Sequence, residues 1–293
     1  MKKFKFIAVA AAALAIAVFA LASCGNSGGA APKGGSEATS GGTSAAVDTS
    51  VAALPDDAFV VGFDQEYPPY GYVGKNGEFT GFDLELAQEV CARNGWTYVA
   101  QPINWDTKLT ELNAGVFDCI WNGFTMEGRE ADYAFSAPYM YNAQVVLVKA
   151  DSDIKTLDDL AGKTVATQVD SAAWEVLAGD EAEQAALAAK FAALETRDNY
   201  EIAVTELEAG AVDALACDLS IASYNMAQNP DKYRQLETPL SEEHYAVGFR
   251  KGEQALADQV TATLREMTAD GFVEKLCEKY AADGITFDKW VLK

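Results

Sequence analysis

The stretch LTELNAGVFDC, Leu109 to Cys119, returns 95 residues later as VTELEAGAVDA, Val204 to Ala214. Both copies share Thr-Glu-Leu, then Ala-Gly, then an Asp three residues after the Gly. In the first copy Trp105, Leu109 and Leu112 fall at helical spacing, and in the second Tyr200, Val204 and Leu207 repeat that four-then-three pattern. Gly115 and Gly210 then supply the left-handed residue that ends a helix. An apolar strand pattern follows each, VFDCIWNGF and AVDALACD. Such a helix–Gly–strand unit cannot bury its apolar face alone, so its double use predicts two similar α/β lobes. Asp118 and Asp213 open the two strands and read as structural.

The flanks agree. FVVGFD (Phe59 to Asp64) predicts a strand, followed by an irregular turn with two prolines. Asp83 is placed to cap a helix that buries Phe82, Leu86, Ala87, Val90 and Cys91, with Asn94-Gly95 as the stop. TYVAQPI predicts the next strand. Strand–helix–strand–helix–strand is the order of a mostly parallel sheet. KTVATQV and SAAWEVLAG begin the same plan again in the second lobe. HYAVGFRK predicts one strand, and the last two helical patterns return to the first lobe. Ligands in open parallel sheets sit beyond the carboxyl ends of the strands, so the shared site is the cleft between lobes. The expected boundaries are 56–139 with 246–293 for the first lobe and 140–245 for the second, with two interlobe hinge crossings near residues 139–142 and 243–246.

The beginning of the chain carries a different message. Lys2, Lys3 and Lys5 precede an apolar, Ala-rich run to Ala22. This is the pattern of a secretory signal, too short for a comfortable membrane span. LASC, Leu21 to Cys24, looks like a bacterial lipobox, which implies a signal peptide over 1–23, lipid on Cys24 and anchoring to the membrane through that residue alone. Residues 24–55 are Gly, Ser, Ala and Thr with little to bury, an expected tether with a reach of roughly 30 Å. The formal net charge of −22 repels nucleic acid and anionic lipid. Cys91, Cys119, Cys217 and Cys277 form no CxxC and read as buried thiols.

Catalysis finds little support. The sole histidine, His244, leaves no second candidate base for a triad; GxSxG occurs only in the Gly/Ser-rich stretch, at Gly25 to Gly29, and GxGxxG and metal-ligand spacing are absent from the sequence. GKT at residues 162–164 lacks the earlier Gly of a P-loop, since position 157 is Leu157. No cofactor or metal is expected.

Recognition chemistry is more informative. GFTMEGREADYAFSAPY, Gly123 to Tyr139, supplies Gly123, Phe124, Thr125, Arg129, Phe135, Ser136, Pro138 and Tyr139. With GFDLELAQEV, LDDLAGKTVATQ, GAVDALACD and YAVGFRKG, it resembles the family 3 amino-acid-binding proteins of ABC importers, in their bacterial lipoprotein form. The likeness covers residues 59 to about 290. It implies a two-lobed, type II periplasmic-binding-protein-like α/β fold and a monomeric lipoprotein outside the cell membrane. Such a protein closes on a polar free amino acid and hands it to ABC transporter permease subunits.

The resemblance also implies roles. Arg129 holds the ligand's α-carboxylate, for which a planar guanidinium fork is chemically suited. Asp218 takes the α-ammonium. Tyr67 lies against the ligand, and Trp105 closes the opposite side. Asn122, Gly123 and Thr125 line the first lobe's rim. Ser171 and the backbone N–H of Ala172 meet the carboxylate at a helix start, where VDS replaces the family's usual glycine-containing turn. Asp64, Gln168 and Cys217 face the ligand side chain and set specificity. An enzyme of the cyclohexadienyl dehydratase type is the alternative on the same fold, and a ligand-sensing domain a third. Asp218 beside a carboxylate-binding Arg favours an amino acid over a diacid.

Overall fold

A computed structural model describes residues 54–293. The signal segment, Cys24 and nearly all of the expected tether lie outside the described residues.

The chain opens with strand β1 (Ala58–Phe63), then β2 (Glu66–Tyr67), β3 (Gly71–Val73) and β4 (Phe79–Thr80). The proline-bearing turn is therefore a small three-stranded sheet, β2-β3-β4, where an irregular turn was expected. Helix α1 (Phe82–Asn94), β5 (Thr97–Pro102), α2 (Lys108–Ala114), β6 (Cys119–Ile120) and β7 (Tyr133–Phe135) follow. The long β8 (Met140–Lys149) leads to β9 (Thr164–Gln168), α3 (Ala172–Ala178), α4 (Ala185–Ala188), β10 (Ala193–Arg197), α5 (Tyr200–Ala209), β11 (Ala214–Asp218), α6 (Leu219–Gln228), β12 (Tyr233–Gln235) and β13 (Ser241–Tyr245). The end is β14 (Gly248–Arg250), α7 (Gln254–Ala269) and α8 (Phe272–Lys279).

Two sheets result, in the orders β5-β1-β6-β14-β7 and β10-β9-β11-β8-β12, with β13 paired to β8. Each has a parallel triplet: β1 lies between β5 and β6, and β9 between β10 and β11. The remaining pairings are antiparallel. The sheets are thus mixed, which corrects the expected mostly parallel character. The antiparallel partners β8, β13 and β14 belong to the segments that pass from one sheet to the other. HYAVGFRK is correspondingly two strands. Between β13 and β14, the Ala246 N–H donates to the Phe124 carbonyl (2.9 Å) and the Val247 N–H to Ser136 Oγ (2.9 Å).

The repeated motif does the same job twice. Gly115 (φ 77°) and Gly210 (φ 75°) end α2 and α5 in the left-handed conformation. The Asp118 and Asp213 amides donate to the Val60 and Thr164 carbonyls at 2.8 and 2.9 Å. Their carboxylates in turn accept the Val60 and Thr164 N–H groups at 3.0 and 2.8 Å. Each aspartate thereby stitches the start of its strand to the neighbouring parallel strand.

Asp83 does not cap α1. Gly81 occupies the N-cap at φ 135°, where a Cβ would collide with the Tyr70 carbonyl. Asp83 lies inside the first turn, fully buried. The predicted apolar face of α1 is buried at every position named. One continuous apolar cluster runs from α1, α7 and α8 through Tyr139, Met140 and Tyr245 to Tyr200 and Leu215, while smaller clusters fill the other face of each sheet. Cys91, Cys119, Cys217 and Cys277 are free and buried.

Candidate functional site

Strand ends and turns from both sheets converge on one narrow cavity. From the first-sheet side come Tyr67, Trp105, Gly123, Thr125 and Arg129, and from the second Gln168, Ser171, Ala172, Tyr200 and Asp218. Nine of the twelve ligand-site residues named from sequence line this cavity. Asp64 and Asn122 stand just behind it: Asn122 Oδ1 accepts the Asp64 N–H, and Asp64 Oδ2 accepts Gln168 Nε2 at 2.9 Å. Cys217 does not line it. It is fully buried within β11, opposite Val145, and burial pushes its thiol pKa well up. Alternation along the strand turns Asp218 towards the cavity and Cys217 away.

Arg129 holds one wall. Its guanidinium donates to the Thr125 carbonyl (3.1 Å) and, at 3.5 Å, to the Asp170 carbonyl, and it lies 5.0 Å over the Phe124 ring. Among the described residues no carboxylate pairs with it. Asp218 holds the other end, with only 5% of its surface exposed. Its Oδ1 accepts Asn142 Nδ2 (2.9 Å), Gln144 Nε2 (2.7 Å) and the Tyr245 hydroxyl (3.1 Å). All three donors are neutral, and burial raises the carboxyl's pKa. A guanidinium and a carboxylate, each without an ionic partner among the described residues, thus border one small space.

Aromatic rings shape the rest. The Tyr67 hydroxyl bonds the Tyr245 hydroxyl (3.0 Å) and Ser220 Oγ (3.3 Å). Trp105 packs edge-on against Phe124. Thr125 turns its hydroxyl onto Glu243 Oε1 (2.7 Å). Ser171 is the N-cap of α3, its Oγ accepting the Trp174 N–H at 3.1 Å.

Several residues were missed by sequence reasoning. Tyr200, read as core, is 2% exposed and lines the cavity with a hydroxyl that makes no hydrogen bond, among Ser171, Thr167 and Asp218. Lys108 is 2% exposed and bonds the Trp105 carbonyl, the Asp170 carbonyl (3.1 Å each) and the Asp170 carboxylate. Burial lowers its pKa to about 8. A signal existed: Lys108 sits three residues after Trp105 and four before Leu112, on the buried face. Asp170 occupies the left-handed position, φ 52°, of the VDS turn. Its carbonyl also receives Trp105 Nε1 at 3.1 Å. Asn199, just before α5, donates to the Glu66 carboxylate on β2. Lys108–Asp170, Trp105–Asp170, Gln168–Asp64 and Asn199–Glu66 join the two sides, so the cleft is shut. Among the described residues no cluster suits a metal ion, and no helix is long and apolar enough to cross a membrane.

Residues 59–283 match the family model for bacterial extracellular solute-binding proteins, family 3. The chain is similar to the L-cystine-binding protein TcyJ of Escherichia coli K12, 29% identical over 230 residues, covering 78% of this chain and 84% of TcyJ. A substrate-binding protein of an ABC uptake transporter from Streptococcus pneumoniae, solved with bound histidine, superposes with a TM-score of 0.73 at 30% identity, over 79% of this chain and 95% of that one. The ancestral amino-acid-binding protein AncCDT-1, a precursor of cyclohexadienyl dehydratase, superposes at 0.69 with 30% identity, over 76% and 95%. With more than half its length matched by the family model and its two mixed-sheet lobes arranged as in those structures, this chain belongs to family 3 of the bacterial extracellular solute-binding proteins.

Proposed function

We propose that the protein captures one polar amino acid by closing its two lobes and delivers it to the permease of an ABC importer. In this reading it works outside the cell membrane, anchored by lipid on Cys24, and binds without turnover. The observation that carries it is the pair of opposite, ionically unpartnered charges across one cavity. Arg129 suits an α-carboxylate and Asp218 an α-ammonium, and a zwitterion between them satisfies both. Tyr67, Trp105 and Tyr200 give the apolar walls. Gln168, held by Asp64 behind it, gives the side-chain end a polar lining. A relative named for L-cystine binding and a similar structure solved with bound histidine support an amino acid as the ligand class.

The enzyme alternative draws on the likeness to AncCDT-1, but Asp218 opposite Arg129 fits an ammonium-bearing ligand better than a diacid. A thermal-shift screen against the twenty amino acids and L-cystine tests the reading. At least one is expected to raise Tm clearly. Arg129→Ala should fold and lose that response, since stranding a carboxylate in a closed site costs about 3–5 kcal/mol, roughly a hundredfold to several thousandfold in Kd. A loss below about fivefold would remove Arg129 from the carboxylate site.

A further inference from the structure

Asp218 is not the only buried carboxylate at its end of the cleft. Glu243, on β13, is 3% exposed. β8 lies between β11 and β13, with Gln144 opposite Asp218 and Asn142 opposite Glu243. Asn142 Nδ2 donates to Asp218 Oδ1 (2.9 Å) and to Glu243 Oε1 (2.7 Å). Gln144 Nε2 donates to the same two oxygens at 2.7 and 2.8 Å. Sharing a donor nitrogen, the two carboxylate oxygens stand no farther apart than the sum of two such bonds.

The surroundings of the pair are neutral. Thr125 donates to Glu243, Tyr245 to Asp218, and Tyr67 and Ser220 bond the Tyr245 hydroxyl. Tyr200 lies beside Asp218 with its hydroxyl unpaired. The cations of the cleft are engaged elsewhere, Arg129 on the Thr125 carbonyl and Lys108 on Asp170. Two carboxylates this close, dry and without a cation cannot both stay ionised, so one keeps a proton. Burial and the neighbouring Asp218 push Glu243 up to about 7, while Thr125, Asn142 and Gln144 pull it back.

We propose that Glu243 is a positioning residue of the ammonium subsite: before an amino acid binds, the Asp218–Glu243 pair carries one proton, and the α-ammonium replaces that proton, which leaves to solvent. The inference rests on Asp218 as the ammonium subsite. Glu243 acts through the shared Asn142 and Gln144 amides, which hold Asp218 in place. Its strand also carries Tyr245, which bonds Tyr67 on the first-sheet side, so the pair's charge state is felt where the lobes join.

The sign follows from exchange of a proton for a cation. Below the pair's apparent pKa the ligand must displace a proton, so affinity falls as pH falls; above it, affinity levels off. Lys108, near 8, bounds the useful window from above. Asp64, raised by burial, stands behind the cavity and accepts Gln168 Nε2, with no bond to the pair.

Calorimetric titration tests this on the whole protein. The amino acid or L-cystine giving the largest thermal shift is titrated at pH 6 and 7.5, in buffers of different ionisation enthalpy. With L-histidine, the free imidazole's own titration is subtracted. Wild type is expected to weaken roughly eightfold at pH 6 and to release close to one proton per ligand there. Glu243→Gln is expected to keep binding, change less than about twofold between the two pH values, and release no proton. Binding by wild type with a pH-flat Kd and no proton release overturns the inference while leaving the amino-acid reading intact. Failure of every amino acid to bind removes that reading and this inference with it. Should Glu243→Gln not fold, the wild-type proton count decides.

Discussion

Asp83 fixes the backbone of the cleft from behind. Its carboxylate accepts the Gly123 N–H at 2.6 Å and the Tyr139 hydroxyl at 2.7 Å, while Gly123 itself lines the cavity. Burial raises Asp83 to about 7 against those two bonds. A carboxyl raised in the folded state stabilises below its unfolded pKa, near 4, and that stabilisation fades as pH rises through about 7. Removal of the acceptor leaves a buried amide and hydroxyl unpaired, so Asp83→Ala should lose about 2–4 kcal/mol in urea unfolding at pH 6. Asp83→Asn should lose less and flatten the fall of Tm between pH 5 and 8; an unchanged slope would mean that Asp83 does not titrate there. At this scale sequence reading went only partway. Arg129 and Asp218 were legible through motif, as were the aromatic walls. Asp83 was visible as a residue near a helix start, but its partners lie 40 and 56 positions away. Glu243, Tyr200 and Lys108 were missed for the same reason: local pattern gives a glutamate, tyrosine or lysine its face, and only tertiary packing gives it a partner.

Among elements, the helix–Gly–strand repeat was the most legible, because each part of it is locally determined. A Cβ added at Gly115 would meet no atom within 4 Å, and one at Gly210 only Lys149 Nζ at 3.5 Å. Ala at either position therefore meets backbone strain with little crowding. Gly115→Ala and Gly210→Ala should each destabilise by about 1–2 kcal/mol and by similar amounts. Denaturant midpoints check this, and an effect on only one copy would deny the equivalence of the two units. The crossing segments were less legible. β8 pairs with β11, β12 and β13, all roughly 70 to 100 positions away in sequence. No local period announces that these partners run antiparallel, so the sheets were expected to be mostly parallel. HYAVGFRK reads as one apolar run although its first half joins β8 and its second half the other sheet.

The described residues form two main sheets, with the small β2-β3-β4 sheet beside them, joined through a shared aromatic core and shut by polar bonds at the cleft mouth. The two-lobed α/β plan followed from the repeat; the latch did not, since Lys108 and Asp170 meet only when the lobes do. Lys108 donates to the carbonyl and carboxylate of Asp170, and Trp105 to the same carbonyl. Lys108→Met keeps the stem's packing and removes the ionic half of the latch. It should enlarge the open population without ligand and weaken amino-acid binding by roughly three- to tenfold, in proportion to the closed state lost. Unchanged affinity would mean that the latch adds nothing to closure. Capture by closure requires the two lobes to approach each other on binding, which an interlobe distance reads out. The four cysteines of the described residues are buried and free, so spin labels can be placed on Lys75→Cys and Lys232→Cys in a Cys24→Ser background; both lysines are exposed, Lys75 in the β3–β4 turn and Lys232 just before β12. A broad or longer distance distribution is expected without ligand. A saturating amino acid from the thermal-shift screen should collapse it to one shorter distance, and Arg129→Ala should prevent that collapse. Identical distributions with and without that amino acid would contradict the clamp.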